Sequence, residues 1–163
     1  MTTLAATKGL AIAASLLSGG ASSVMSLVMV PTLLAAPHNI AAKQFKLIHN
    51  LKWVTHSATA LVAALLHGYV AYTYHQRGLP VWSRWATGAA LTAAILPWSI
   101  GAVEPVSKQI VVIAGTSENR EGGTEISVKT ERLLRRWDVL NSVKSVLAVS
   151  AGAVGLYTVL EGQ

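Results

Sequence analysis

His49, His56 and His67 interrupt an otherwise apolar run at residues 47–74, LIHNLKWVTHSATALVAALLHGYVAYTY. An α-helix turns by about 100° per residue, so a step of seven returns to within about 20° and a step of eighteen closes five turns. The three imidazoles therefore share one helical face. Tyr74 falls on the same line, and Lys52 stands about 60° from it. A neutral imidazole accepts a proton near pH 7, which makes the deeper two, His56 and His67, candidate general bases. His49 and His75 suit positions at a membrane surface. The ligands of one metal ion all lie about 2 Å from it. A rise of about 1.5 Å per residue puts His49 about 10 Å from His56, and His56 about 16 Å from His67. No two imidazoles of this helix can share an ion, so a metal site is not favoured. The arrangement left open is one of them joined by His38, His75 or Glu104 from another segment.

Trp137, Asn141 and Lys144 form a second constellation, because spacings of four and three place them on one helix face. An ammonium inside an apolar segment snorkels to the interface, pairs with an acid such as Asp138 or Glu104, or stabilises an anion. Asn141 serves either as a hydrogen bond between helices or as a polar contact for a substrate oxygen. A Gly-rich phosphate loop, a nucleotide fingerprint and a Ser–His–Asp spacing are all absent from the sequence.

The elements that must position these residues are apolar helices. The 163 residues are 52% hydrophobic and 12% charged, with a mean hydropathy of +0.48, whereas a soluble domain carries about a quarter charged residues. Much of the charge sits at residues 116–136 and the rest at the ends of apolar runs. That is how a polytopic membrane protein distributes charge, and it makes a nucleic-acid surface a poor explanation of the net charge of +6. With no cysteine, the chain has no disulfide, thiolate nucleophile or Cys-ligated metal site. The expected fold is all-α, a single membrane domain over residues 1–163. It is a four-helix transmembrane bundle with spans at about 9–35, 47–74, 82–103 and 137–160 and one amphipathic or loop excursion between helices 3 and 4.

Residues 9–35 carry no ionisable side chain. They exceed the roughly 20 residues needed to cross a bilayer and the ~7–15 of a cleaved signal core, which favours a retained helix. Ser15, Gly19, Ser22 and Ser26 recur at spacings of three and four, which suits a close helix–helix seam or room for a flat ligand beside one. Pro31 is expected to kink the helix end, Pro37 to stop it, and residues 36–46 to form a short connection. Gly78 and Pro80 mark the next turn. Trp82 and Trp85 open the third span at interfacial depth, Pro97 breaks its backbone ladder, and Glu104-Pro105 ends it. VSKQIVVIAG (106–115) continues as a short helix or strand, and GTSENREGGTE (115–125) reads as a surface loop. ISVKTERLLRRWDVL (126–140) reads as an amphipathic helix leading into the fourth span. Lys43, Lys46, Lys52, Lys108, Arg120, Lys129, Arg132, Arg135 and Arg136 are expected to face the cytosol, and Lys8, Arg77, Arg84 and both termini the other side.

LLSGGASSVMSLVMVPTLL, the His-bearing second span, LPWSIGAVEPVSKQI and RRWDVLNSVKS together resemble the anthrone oxygenase-like family of small four-helix membrane proteins. The resemblance runs across nearly the whole chain. Its most specific piece is a Trp-x3-Asn-x2-basic signature, matched by Trp137, Asn141 and Lys144, where the family usually has Arg at the last position. A second piece, after the third span, is Pro105-Val106-Ser107-Lys108, with Ser107 where the family has Asn. The resemblance implies oxidation of anthrones to anthraquinones in fungal polyketide pathways, with molecular oxygen as co-substrate and no flavin or haem. For that reaction the His stripe and the basic–amide face of the fourth span assign His56 or His67 as base, Lys144 and Asn141 to the oxyanion or peroxide, and Trp137 to the flat substrate. Trp98, Tyr74 and Ser107 complete the substrate-binding set, and no residue is assigned to a metal. The implied partners are the bilayer and a small aromatic polyketide, with no nucleic acid and a homo-oligomer left open. The implied location is the endoplasmic reticulum or another endomembrane. Two other functions fit the residues: a membrane cyclase or rearrangement enzyme using the same groups without oxygen, and a non-catalytic assembly or carrier subunit.

Overall fold

Long apolar stretches satisfy their backbone groups by forming helices, and the described residues are almost entirely helical. The structure, a computed structural model, describes residues 2–116 and 124–161, without the side chains of residues 2, 51–57, 116 and 124. These residues form four continuous rods. The first is α1 (Thr2–Val24), a π-helical turn π1 (Met25–Met29) and α2 (Val30–Ala35). The second is α3 (His38–Gln76). The third is α4 (Trp82–Trp98), π2 (Ser99–Val103) and α5 (Glu104–Thr116), and the fourth is α6 (Thr124–Glu161). The fold is all-α, with no strand among the described residues. Three stretches, Thr3–Ala35, Trp82–Gly115 and Glu125–Glu161, are long and apolar enough to cross a membrane.

The rods alternate in direction. The Lys8 ammonium lies 5.0 Å over the Tyr74 ring, and Arg84 pairs with Glu161. The starts of the first and third rods therefore meet the ends of the second and fourth. Each rod packs on the next, and α6 closes the ring against α1.

The α1–α6 seam follows from small residues. A Cβ at Gly19 would stand 2.6 Å from Val149 Cγ2, and one at Gly152 would stand 2.6 Å from Leu16 Cδ2. Ser145 donates to the Gly19 carbonyl at 3.0 Å, and its hydroxyl lies 2.5 Å from that of Ser23. The serine and glycine stripe of the first rod is thus a packing seam. The outward faces are apolar: Leu17 and Leu27 are 71% and 76% exposed. Such surface is costly in water and natural against lipid.

Three expectations about boundaries are corrected. Pro37 does not open a loose connection. It caps α3, its carbonyl accepts from the amides of Ile40 and Ala41 at 2.9 Å, and Ala41, Ala42 and Phe45 bury a face against the core. Residues 36–46 are therefore mostly helix. Glu104-Pro105 does not end the third rod, which runs on to Thr116. The expected excursion is consequently helical on both sides, with residues 117–123 outside the described ones. Proline lacks an N–H, and its ring clashes with the carbonyl four residues back. A π turn widens the preceding turn and moves that carbonyl away. Both π turns end two residues before a proline: Met25–Met29 before Pro31, and Ser99–Val103 before Pro105. Finally, Trp85 is 1% exposed and lies inside the bundle, whereas Trp82, three residues earlier, is exposed.

Candidate functional site

The inward line of α3 carries Ala42, Phe45, Ala60, Ala63, His67, Val70 and Ala71, all buried. This is the meridian on which the histidines fall. His56 belongs to it by position, but its side chain lies outside the described ones.

Trp137 lies on the facing side of α6. Its indole donates to Ser107 Oγ at 2.9 Å, and Ser107 donates to the Val103 carbonyl at 3.1 Å. Phe45 meets Trp137 edge-on at 5.3 Å. Two of the expected substrate-binding residues, Trp137 and Ser107, are therefore bonded to each other, across the joint between α6 and α5. One turn further along α6, Asn141 is fully buried. Its amide donates to the Ser22 carbonyl at 2.9 Å and to Ser26 Oγ at 3.0 Å. Both amide hydrogens are thus committed to the first rod, and Asn141 has no hydrogen left to offer an oxyanion. Trp98 closes the same level from α4, donating to the Leu140 carbonyl at 3.0 Å.

Lys144 is 6% exposed, so its ammonium stays inside the bundle instead of snorkelling. Among the described residues no hydrogen bond or ion pair reaches it. Asp138 forms no pair with it, and Glu104 is engaged elsewhere, 3.9 Å from both His49 Nε2 and Lys108 Nζ. From Trp137 to Lys144 is a rise of about 10 Å, which, starting from Phe45, reaches the level of residues 52–56 of α3.

His67 sits elsewhere. It is fully buried, Nδ1 bonds to the Ala63 carbonyl at 2.9 Å, and its ring lies 5.6 Å from that of Trp85. Nδ1 must carry the proton there, because a carbonyl only accepts. A Cβ at Gly155 would stand 3.4 Å from His67 Nε2. Gly155 is eleven residues past Lys144, about 16 Å along the axis. Tyr74 is further still in that direction, beneath Lys8. The structure therefore brings Trp98, Ser107, Trp137, Asn141 and Lys144 together at one end and holds His67 and Tyr74 at the other. Among the described residues no three of His, Asp and Glu converge on a point suited to a metal ion.

Sequence reasoning missed Trp85 and Gly88 as the residues packed on His67. No local period pairs Gly88 with His67; the packed structure does, where a Cβ at Gly88 would stand 2.9 Å from His67 Nε2.

The buried face of α6 thus carries an indole, an amide and an ammonium within about two turns, at Trp137, Asn141 and Lys144. The anthrone oxygenase of Claviceps purpurea (strain 20.1) is 27% identical over 156 residues, covering 94% of this chain and 88% of that protein. The noranthrone monooxygenase of Aspergillus flavus is 24% identical over 144 residues, covering 84% of this chain and 65% of that protein. Monooxygenase hypC of Dothistroma septosporum is 26% identical over 141 residues, covering 84% and 74%. No solved structure matches the chain. The sequence profile of the family described as anthrone oxygenase matches residues 45–154, and the chain belongs to that family.

Proposed function

We propose that the protein is a membrane-embedded oxygenase that converts an anthrone-like aromatic to a quinone with molecular oxygen and no resident cofactor. The observation that carries this reading is Lys144, an ammonium 6% exposed inside the bundle, on the α6 face that also buries Trp137 and Asn141. A lysine at the centre of a spanning helix costs about 2.5–3.5 kcal/mol on the insertion scale, a cost suited to a charge with a task.

The chemistry needs little machinery. The methylene hydrogen of an anthrone is acidic because its loss gives an aromatic enolate. A base removes that proton, and Lys144 holds the resulting oxyanion. The electron-rich anion gives an electron to oxygen, and the pair combines as a peroxide at the same carbon. Breaking the O–O bond with loss of the second hydrogen leaves the new carbonyl and one water. His56 is the assigned base, because its position on α3 matches the depth of Lys144, whereas His67 is about three turns away. Trp137 and Trp98 flank the flat ring system, and Asn141 holds α6 to the first rod so that Lys144 faces inward. In this reading α3 also crosses the bilayer, giving four spans.

Anthrone consumption and oxygen-18 incorporation in membranes test the proposal. Changing His56→Gln or Lys144→Gln should each lower the rate by about 10²-fold or more, as removal of one acid–base or oxyanion group does. Near-wild-type rates in both would overturn it. Product formed without labelled oxygen would favour the cyclase or rearrangement alternative.

A further inference from the structure

The first rod and α3 leave a groove of about 260 Å³ between them, lined by Met29, Thr32, Leu33, Gln44, Leu47 and Ile48. We propose that this groove is the lateral entrance through which the flat aromatic substrate passes from the bilayer to the Lys144 level, an inference that rests on the function proposed above.

Three observations select the occupant. First, the groove adjoins the site. Its floor, Leu33, belongs to the same buried cluster as Phe45 and Trp137, and Met29 packs against that cluster. Met29 is also one helical turn from Ser26, which accepts a hydrogen bond from Asn141. A molecule entering here meets aromatic walls first and the polar level next. Second, the wall is built to give. Met29 ends the π turn, where the Val30 amide reaches back to the Met25 carbonyl, and Pro31 follows with no amide of its own. The first rod is thus weakest in backbone bonding where it borders the groove. Third, the size suits a small rigid molecule. Ligand pockets begin at roughly 300 Å³, and this groove falls just short of that, as an entrance smaller than the site it serves would. A short groove floored by a cluster that holds Phe45 and Trp137 suits a flat aromatic better than a long flexible acyl chain.

Photolabelling with a diazirine-bearing anthraquinone in reconstituted vesicles tests the proposal without turnover. Adducts are expected on peptides containing residues 29–33 and 44–48, and unlabelled anthraquinone at about ten times its Kd should reduce them about tenfold. Leu47 is 65% exposed, so Leu47→Trp fills the groove without disturbing the core. It should abolish these adducts and raise KM about tenfold with kcat unaltered. Labelling spread evenly over the lipid-facing residues Leu17, Leu65 and Val146, without competition, would overturn the proposal and leave the groove to acyl chains. Competed labelling at the groove in a protein that oxidises no anthrone would keep the entrance and sink the oxygenase. Oxidation with no competed labelling at the groove would do the reverse.

Discussion

Lys144 and Asn141 are three residues apart and do different work. Burying an ammonium costs folding free energy, so replacing it with an apolar side chain of similar length should leave the fold as stable or more so. Lys144→Met is therefore expected to hold or raise the melting temperature in detergent while lowering oxidation by about 10²–10³-fold. A fall in both together would mean that the ammonium is a structural partner. His67 gives a contrasting case. Gly88→Ala drives a methyl group into its ring, whose Nε2 would stand 2.9 Å away. Overpacking of this kind should cost about 1–3 kcal/mol, read from chemical denaturation in detergent. The same substitution at Gly68, which has nothing within 4 Å, should be neutral or stabilising.

At the scale of elements, the first and last rods are tied by a polar ladder on a small-residue seam. Asn141 supplies two of its rungs, to Ser22 and Ser26. Asn141→Ala leaves those acceptors buried and short of a donor, which should cost about 1–3 kcal/mol. The melting temperature should fall, while the rate per folded molecule falls far less than in Lys144→Met. The opposite ranking would make the amide part of the chemistry. The third and fourth rods were only partly legible in advance. The apolar spacing at 126, 133, 134 and 137 foretold one amphipathic helix entering α6, and Leu133, Leu134 and Trp137 are indeed buried. Pro37 does stop the first rod, but the segment after it and the one after Pro105 continue as helix for a local reason. A proline ends an α-helix unless the turn before it widens or the proline itself stands at the helix start, and which of these happens depends on what the following residues can bury. Ala41, Ala42 and Phe45 in one case, and Val106, Ser107 and Ile110 in the other, gain burial only if the rod continues.

For the whole molecule, alternating rods put both chain ends and the turn at Arg77–Val81 on one side, and the Pro37 corner on the other. The chain has no cysteine, so single thiols report sidedness directly. In sealed vesicles, Arg77→Cys should react with a charged maleimide from the same side as a tag on either terminus, and Lys43→Cys from the opposite side. Reaction of both from one face would break the alternating topology.

Hydropathy and period, both local properties of the chain, were enough to determine helices, membrane-length apolar runs, the inward meridian of α3 and the shared face of Trp137, Asn141 and Lys144. Contacts between distant segments were not contained in any single period. Only the packed bundle decided that Asn141 gives its hydrogens to the first rod and that Trp137 donates to Ser107. It alone decided that Trp85 turns inward to His67, and that His67 and Lys144 lie about three turns apart. Each of those outcomes depends on the axial offset at which two rods lock, and that offset is set by which small residues on both rods admit each other's side chains.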